Sequence, residues 1–337
     1  MPRARLTTAV AAATATLMLL SACGSDDGDS SSGKTKDTPK SGPTTLAEPK
    51  QKDLDALESI KVTPPKGDTG PKVSVKDPVT VSQTTLDVLK KGSGEKLGIG
   101  DFAKVDVAMF KGNGKPLKRS STYGEGATYL PLTEQPQGLA GLIKVMNGRT
   151  IGTRGVAVLP PEDVFGPKGN KQFGINGKDN LIVVFDVRGV LPKAADGKDV
   201  APKKGMPQVK WSAKKPAEIT IPKDAKKPKK LQVEHLKKGD GPTIEKGDMA
   251  YVHYTGVTWD DGKVFDSSKK GDRGSPFTFP VGQGSVIPAW DKALQGAKVG
   301  DRLLVVAPPK EAYGDQAQGP IKANSTLVFT VDVLGKA

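Results

Sequence analysis

The chain is poor in the residues that most enzymes use as nucleophiles, proton shuttles or metal ligands. Its 337 residues hold two histidines, His235 and His253, and one cysteine, Cys23. That set excludes His/Cys zinc sites, iron–sulfur clusters, CxxC redox chemistry and intrachain disulfides. What the sequence concentrates instead is aromatic surface. Tyr254, Phe265, Phe277, Phe279, Trp290, Tyr313 and Phe329 fall in the last third, although only 5 % of the chain is aromatic, and Asp266 stands beside Phe265. By residue type alone these rings could pack into a core or line an apolar site.

The elements that must hold the rings are legible around them. Met249–Thr255 alternates and ends at Gly256, and Leu303–Ala307 and Leu327–Leu334 are further β-like runs, so antiparallel sheet is expected. Ile287–Gln295 is the one helical stretch: Pro288 suits a first helical position and Gly296 stands just past the end. Ile287, Trp290 and Leu294 share a face, giving a short helix one apolar stripe to lay on a curved sheet. The order of elements is α+β, not alternating βαβ. His253 falls on the opposite face of its strand from Tyr254 and reads as structural.

The same plan is written twice. Leu89-Lys90-Lys91-Gly92-Ser93-Gly94 with Gly100-Asp101 returns 147 positions later as Leu236-Lys237-Lys238-Gly239-Asp240-Gly241 with Gly247-Asp248. Gly148–Gly152, Pro160-Pro161 and Phe165-Gly166 return at an offset of 148 as Gly296–Gly300, Pro308-Pro309 and Tyr313-Gly314. Both copies close on an alternating strand with a shared aspartate, Leu181–Val187 and Leu327–Val333. A fixed period of this length indicates duplication of one structural unit. Ser59–Val62 with Val73–Val75, and Gln208–Trp211 with Ile219–Ile221, read as extra edge strands of the two copies.

Length and composition agree with two domains. The 40 Gly and 27 Pro make about 20 % of the chain against a usual ~12 %, favouring short strands and turns over helical bundles. A net charge of +14 allows an anionic partner. The Lys/Pro-rich segments 192–204 and 223–230 lack apolar periodicity and read as linker and loop with solvated charge. Their basic runs lack interleaved aromatics, so nucleic-acid binding is not expected.

The start of the chain reads as a leader. Met1–Arg5 carries two positive charges, and Leu6–Leu20 is an uninterrupted small and apolar run, as in a secretory signal. The run is shorter than the ~20 residues a spanning helix needs. Leu20-Ser21-Ala22-Cys23 resembles the bacterial lipobox, which implies lipidation of Cys23 and an extracytoplasmic, membrane-anchored lipoprotein. The Ser/Gly/Asp/Lys/Thr/Pro stretch that follows cannot bury enough surface to order itself and reads as a tether.

VHYTG (Val252–Gly256), DGKVFDSS (Asp261–Ser268), PFTFPVGQGSVIPAW (Pro276–Trp290), ALQGAKVGDR (Ala293–Arg302), AYG (Ala312–Gly314) and TLVF (Thr326–Phe329) occur in the order and spacing of the FKBP family of peptidyl-prolyl cis–trans isomerases. The segment from Leu231 to the end resembles that family. The resemblance implies an isomerase of Xaa-Pro bonds that uses no cofactor and no metal. It implies an apolar cup between sheet and helix whose catalytic set is Tyr254, Phe265, Asp266, Ile287, Trp290, Tyr313 and Phe329. Phe277, Val286 and Ile321 would complete the substrate-binding surface.

In that reading Trp290 forms the floor, and the Ile287 amide and Tyr313 hydroxyl hold substrate carbonyls. Asp266 faces the twisting amide or supports Tyr254. Proline-containing polypeptides are the implied substrates, and FK506- or rapamycin-like macrolides the implied ligands. Ser285, in place of a common acidic residue, and a short loop Asp315–Ser325 depart from the family pattern in ways that bear on substrate preference.

The expected organisation is a signal peptide at 1–22, a tether at 23–54, a first FKBP-like domain at 55–192, a linker at 193–204 and the isomerase domain at 205–337. Each domain is expected to be a curved antiparallel sheet wrapped around one short helix. Aligning the repeats puts Val107, Leu117, Lys118, Thr128, Leu142, Phe165 and Val183 where the second copy has Tyr254, Phe265, Asp266, Phe277, Trp290, Tyr313 and Phe329. The first copy therefore keeps the framework without the cup. The leading function is prolyl isomerisation in exported proteins; the alternative is a non-catalytic, chaperone-like binding lipoprotein.

Overall fold

The structure, a computed structural model, describes residues 44–136, 138–270 and 274–337. The leader read at 1–22, Cys23 and most of the tether lie outside the described residues. The chain divides into two units, Met1–Val190 and Leu191–Ala337.

The first unit contains α1 (Gln51–Glu58), β1 (Lys61–Thr63), β2 (Lys72–Ser74), β3 (Thr85–Lys90), β4 (Phe102–Lys111), β5 (Pro116–Ser121), β6 (Thr128–Pro131), α2 (Ala140–Met146), β7 (Arg154–Leu159) and β8 (Leu181–Val190). Its main sheet runs β3-β7-β8-β4-β5, with β6 also paired to β4. The second unit contains β9 (Lys198–Asp199), β10 (Gln208–Lys210), β11 (Glu218–Thr220), β12 (Gln232–Lys238), β13 (Met249–Thr258), β14 (Val264–Ser267), β15 (Phe277–Pro280), α3 (Pro288–Leu294), β16 (Arg302–Ala307) and β17 (Leu327–Lys336). Its sheet runs β14-β13-β17-β16-β12-β9, with β15 also paired to β13.

The two sheets have one α+β plan, antiparallel throughout. Elements β3 to β8 with α2 match β12 to β17 with α3 in order and pairing. Even the irregularity is copied: the central pair shifts register at Lys104/Val105 in one unit and at Tyr251/Val252 in the other.

Helix α3 begins and ends where its sequence dictates. Ile287 precedes it in extended backbone, Pro288 fills the first turn, and Gly296 just beyond the end adopts φ +90°. That left-handed value favours glycine, which has no Cβ to strain. Period-2 alternation then splits the sheet into two faces. Leu303, Val305, Leu327, Phe329, Val331 and Val333 turn inward onto Trp290 and Leu294. Leu304, Val306 and Val328 turn outward, where Ile219, Val209, Met206 and Ala225 cover them.

Three expectations are corrected. The tether read to residue 54 already contains the first turn of α1, where Asp53 accepts from the Ser82 N–H at 2.9 Å and hydroxyl at 2.8 Å. The linker read at 193–204 belongs to the second unit: β9 pairs with β12, and the Ala195 N–H donates to Asp332 Oδ2 at 3.1 Å. The 195–199 segment bonds through backbone groups, which leave no side-chain periodicity to read. The expected edge strands form separate two-stranded sheets, β1-β2 and β10-β11.

Candidate functional site

Trp290 projects from α3 onto the inner face of the second sheet and is 4 % exposed. Four rings surround it. Tyr254 and Phe329 meet it edge-on, with centroids 5.0 and 5.5 Å away at 83° and 86°. Phe277 and Phe279 stand 5.9 and 5.6 Å away. Such edge-on contacts contribute about 0.5–1.5 kcal/mol each beyond area burial. The Trp290 Nε1–H is buried and has no acceptor among the described residues, so the indole serves by area and shape rather than by its polar edge.

The aromatic cluster grades from floor to rim. Trp290, Phe329 and Ile321 are buried, whereas Phe277 and Tyr313 are 39 % and 38 % exposed. Val286, Ile287, Tyr254 and Phe265 are half-buried and pack on the same core. Phe265 stands edge-on to Phe329 at 5.6 Å. Gly256 on β13 makes that pair possible: a Cβ there would lie 2.6 Å from Phe265 and 2.8 Å from Phe329.

The polar groups are few. Strand pairing sets Asp266 opposite Gly256, and the Tyr254 hydroxyl donates to Asp266 Oδ2. Burial, then this bond, pushes the Tyr254 phenol well above its usual range. Burial, then the Asp266 charge, also raises that of Tyr313. Both phenols are therefore neutral donors at physiological pH. Lys270 Nζ sits 3.7 Å from Asp266 Oδ1 and donates to the Phe265 carbonyl at 2.7 Å.

The backbone before α3 is held by Asp291, a residue the sequence reading passed over. Its carboxylate accepts from the Gly282 and Gly284 N–H groups at 2.7 and 2.9 Å, fixing the turn that leads to Val286 and Ile287. Only its place in the first turn of a helix could have signalled this. The Ile287 N–H has no acceptor among the described residues.

Behind the cup, the Tyr254 N–H donates to Ser268 Oγ at 2.9 Å, and the same hydroxyl lies 3.0 Å from His253 Nδ1. Burial, then Lys269, lowers the His253 pKa to about 4. His253 is 8 % exposed and stands across the strand from Asp332. Lys269 and Arg302 lie 4.2 and 4.5 Å from the Trp211 ring, and Lys269 Nζ donates to the Ser212 carbonyl at 2.7 Å. Arg302 pairs with Asp332 through two bonds of 2.5 and 2.8 Å.

The first unit shows what the cup loses. The Leu139 N–H, counterpart of Ile287, donates to the Val164 carbonyl at 2.7 Å, and Leu139 is buried. Phe165 stacks on Phe173 at 6.2 Å. One assigned counterpart changes. Val107 N donates to Thr122 Oγ1 at 2.9 Å as Tyr254 N does to Ser268, and Ala108 pairs with Ser121 as Thr255 does with Ser267. Ser120, not Lys118, therefore takes the place of Asp266, while Leu117 keeps the place of Phe265, buried against Val183 and Leu142. The β4-β5 register shifts beyond Ala108, which an alignment of residue types cannot see.

Residues 241–334 match the family model described as FKBP-type peptidyl-prolyl cis-trans isomerase. Similar proteins include FK506-binding protein 1 of Debaryomyces hansenii, 47 % identical over 109 residues, which are 32 % of this chain and 95 % of that one. The peptidyl-prolyl cis-trans isomerase Fkbp12 of Drosophila melanogaster is 45 % identical over 106 residues, 31 % of this chain and 95 % of that one. An FK506-binding protein of Streptomyces anulatus is 39 % identical over 109 residues, covering 32 % and 86 %. Among solved structures, AtFKBP13 is 35 % identical over 33 % of this chain and 96 % of that one, with a TM-score of 0.30.

Proposed function

The chain belongs to the FKBP-type peptidyl-prolyl cis–trans isomerases, and on that premise we propose that the cup around Trp290 is where it twists an Xaa-Pro amide. The observation that carries the proposal is the contrast at one amide: the Ile287 N–H is left without an acceptor beside the aromatic cup, while its counterpart Leu139 is bonded to Val164.

Rotation about the peptide bond faces a barrier of ~18–20 kcal/mol because the planar amide is conjugated. Twisting breaks the conjugation and reduces the charge separation between oxygen and nitrogen. Water stabilises the planar ground state best, so an apolar surface that excludes water favours the twisted form. Trp290, Phe329 and Ile321 supply that surface for the pyrrolidine ring. The Ile287 N–H and the neutral Tyr313 hydroxyl each hold a substrate carbonyl, and Asp266 fixes Tyr254. A thousandfold acceleration asks for about 4 kcal/mol of differential stabilisation.

The leader-like start and the lipobox-like LSAC support a lipoprotein anchored outside the cytoplasmic membrane through Cys23, acting on exported proteins. Among the described residues no helix is long and apolar enough to cross a membrane. The first unit, lacking the cup, holds clients without catalysis. FK506-like macrolides would compete for the same cup.

Isomerisation of an Xaa-Pro peptide by the mature chain tests the reading. Asp266→Ala and Tyr313→Phe are expected to lower kcat/KM by about tenfold, equivalent to ~1.4 kcal/mol. A wild-type chain that leaves the spontaneous rate unchanged would overturn it in favour of a non-catalytic binding protein.

A further inference from the structure

The second unit keeps its charge in one place. Residues 231–337 carry 13 Lys/Arg and 13 Asp/Glu, so the part that holds the cup is neutral. Residues 191–230 carry 12 Lys against 4 Asp/Glu. All twelve lysines are exposed.

The fold puts this segment on one side. Val209, Met206, Ile219, Ile221 and Ala225 pack on Leu304, Val306 and Val328, which point away from α3. The alternating residues Leu303, Val305 and Phe329 point toward Trp290. The segment is therefore a strap across the outer face of the sheet, and the aromatic cluster around Trp290 lies on the inner face. Some lysines are locally matched, Lys203 by Glu234 and Lys227 by Asp260. Lys223, Lys226, Lys229 and Lys230 have no acidic partner among the described residues.

We propose that the lysine strap of residues 191–230 docks the second unit on an anionic lipid surface, leaving the proline cup directed away from it. The choice of lipid rests on the exported, lipid-tethered reading, which keeps the unit within reach of a bilayer. The chemistry of the strap agrees. It contains no arginine, so it offers point charges rather than the bidentate forks suited to base edges. Its one aromatic residue, Trp211, is engaged by Lys269 and Arg302 and gives no platform for stacking bases. Lysines near an anionic leaflet add their attractions together and lose them within a Debye length as salt rises.

The test uses residues 44–337, which hold both units and neither the leader nor Cys23, so acylation plays no part. Sedimentation with vesicles of phosphatidylcholine, with and without about one-third phosphatidylglycerol, is expected to show binding only to the anionic vesicles, weakening as salt rises. Reversal of Lys223, Lys226, Lys229 and Lys230 to Glu should reduce that binding more than about tenfold. Reversal of Lys61, Lys66, Lys72 and Lys76 in the first unit should leave it within about twofold. Isomerisation of a soluble peptide should be unchanged by the strap variant, which separates failure of the docking surface from failure of the isomerase reading. Absence of binding, equal loss in both lysine variants, or capture of a soluble glycerol-phosphate polymer but not of vesicles would each overturn the proposal.

Discussion

Tyr254 meets Trp290 edge-on at 5.0 Å while its hydroxyl donates to Asp266, so one side chain joins the buried floor of the cup to its polar rim. Neither contact is local in sequence: the three residues come from β13, α3 and β14. Replacing Trp290 should therefore damage fold and activity together. Trp290→Ala is expected to cost ~3–5 kcal/mol of stability, as for other large-to-small core changes. Trp290→Phe keeps an edge-on partner and should retain the fold while losing a few-fold in kcat/KM. Denaturant unfolding and the peptide assay on both variants check this; a Trp290→Phe protein that loses the fold would contradict it.

Gly256 gives a way to disturb the rings without removing any. A methyl group there meets Phe265 and Phe329 at well under contact distance. Gly256→Ala should cost ~1–3 kcal/mol by overpacking and lower isomerase activity by displacing the cup wall. Unchanged kinetics would show that the Phe265–Phe329 pair is not part of the working surface.

His253 gives the second unit a defined acid sensitivity. Its folded pKa, about 4, lies below the 6.5 usual for an imidazole, because burial and Lys269 disfavour the charged ring. Asp332, itself paired with Arg302, opposes that effect, and Ser268 and Trp211 complete the surroundings. The unfolded chain thus binds the extra proton more readily. The stability in question is present above about pH 6.5 and is lost as pH falls toward 4, by at most about 3 kcal/mol. His253→Gln should flatten this loss. Trp211, Trp259 and Trp290 are the only tryptophans and all lie in the second unit, so tryptophan fluorescence of the whole chain follows it selectively.

Trp211 is expected to matter although it lies outside the cup. It sits under two cations that belong to β16 and to the segment after β14. Cation–π contacts contribute about 0.5–2 kcal/mol each, so Trp211→Ala should lower stability by ~1–3 kcal/mol. The same change should loosen the Lys269–Ser212 bond behind Tyr254. Activity that falls a few-fold at temperatures where the variant stays folded would show that the strap positions Tyr254; unchanged activity would limit Trp211 to stability.

Fragment boundaries follow the backbone rather than composition. Residues 191–337 should be more stable than 205–337, by ~1–3 kcal/mol, because the shorter piece loses β9 and leaves the buried Asp332 without the Ala195 N–H. Residues 44–190 should fold and show no isomerisation above the spontaneous rate. A fragment 44–190 as active as 191–337 would remove the argument drawn from Leu139 and Ile287.

The duplication, the α+β class, helix α3 and the aromatic set were legible because each is a local or periodic signal. Gly and Pro punctuate helices and turns, alternation marks strands, and a fixed offset marks a repeat. What tertiary structure alone decided were matters of backbone pairing and packing direction. The sheet register exchanged Lys118 for Ser120 as the counterpart of Asp266, and the turns flanking α2 and α3 closed the Leu139 N–H on Val164 while leaving the Ile287 N–H open. Strand pairing drew residues 195–199 out of a supposed linker, and β-sheet alternation sent the lysine strap to the face opposite the cup. Hydrogen bonds between distant main-chain groups carry no side-chain code, so no reading of residue types could have supplied them.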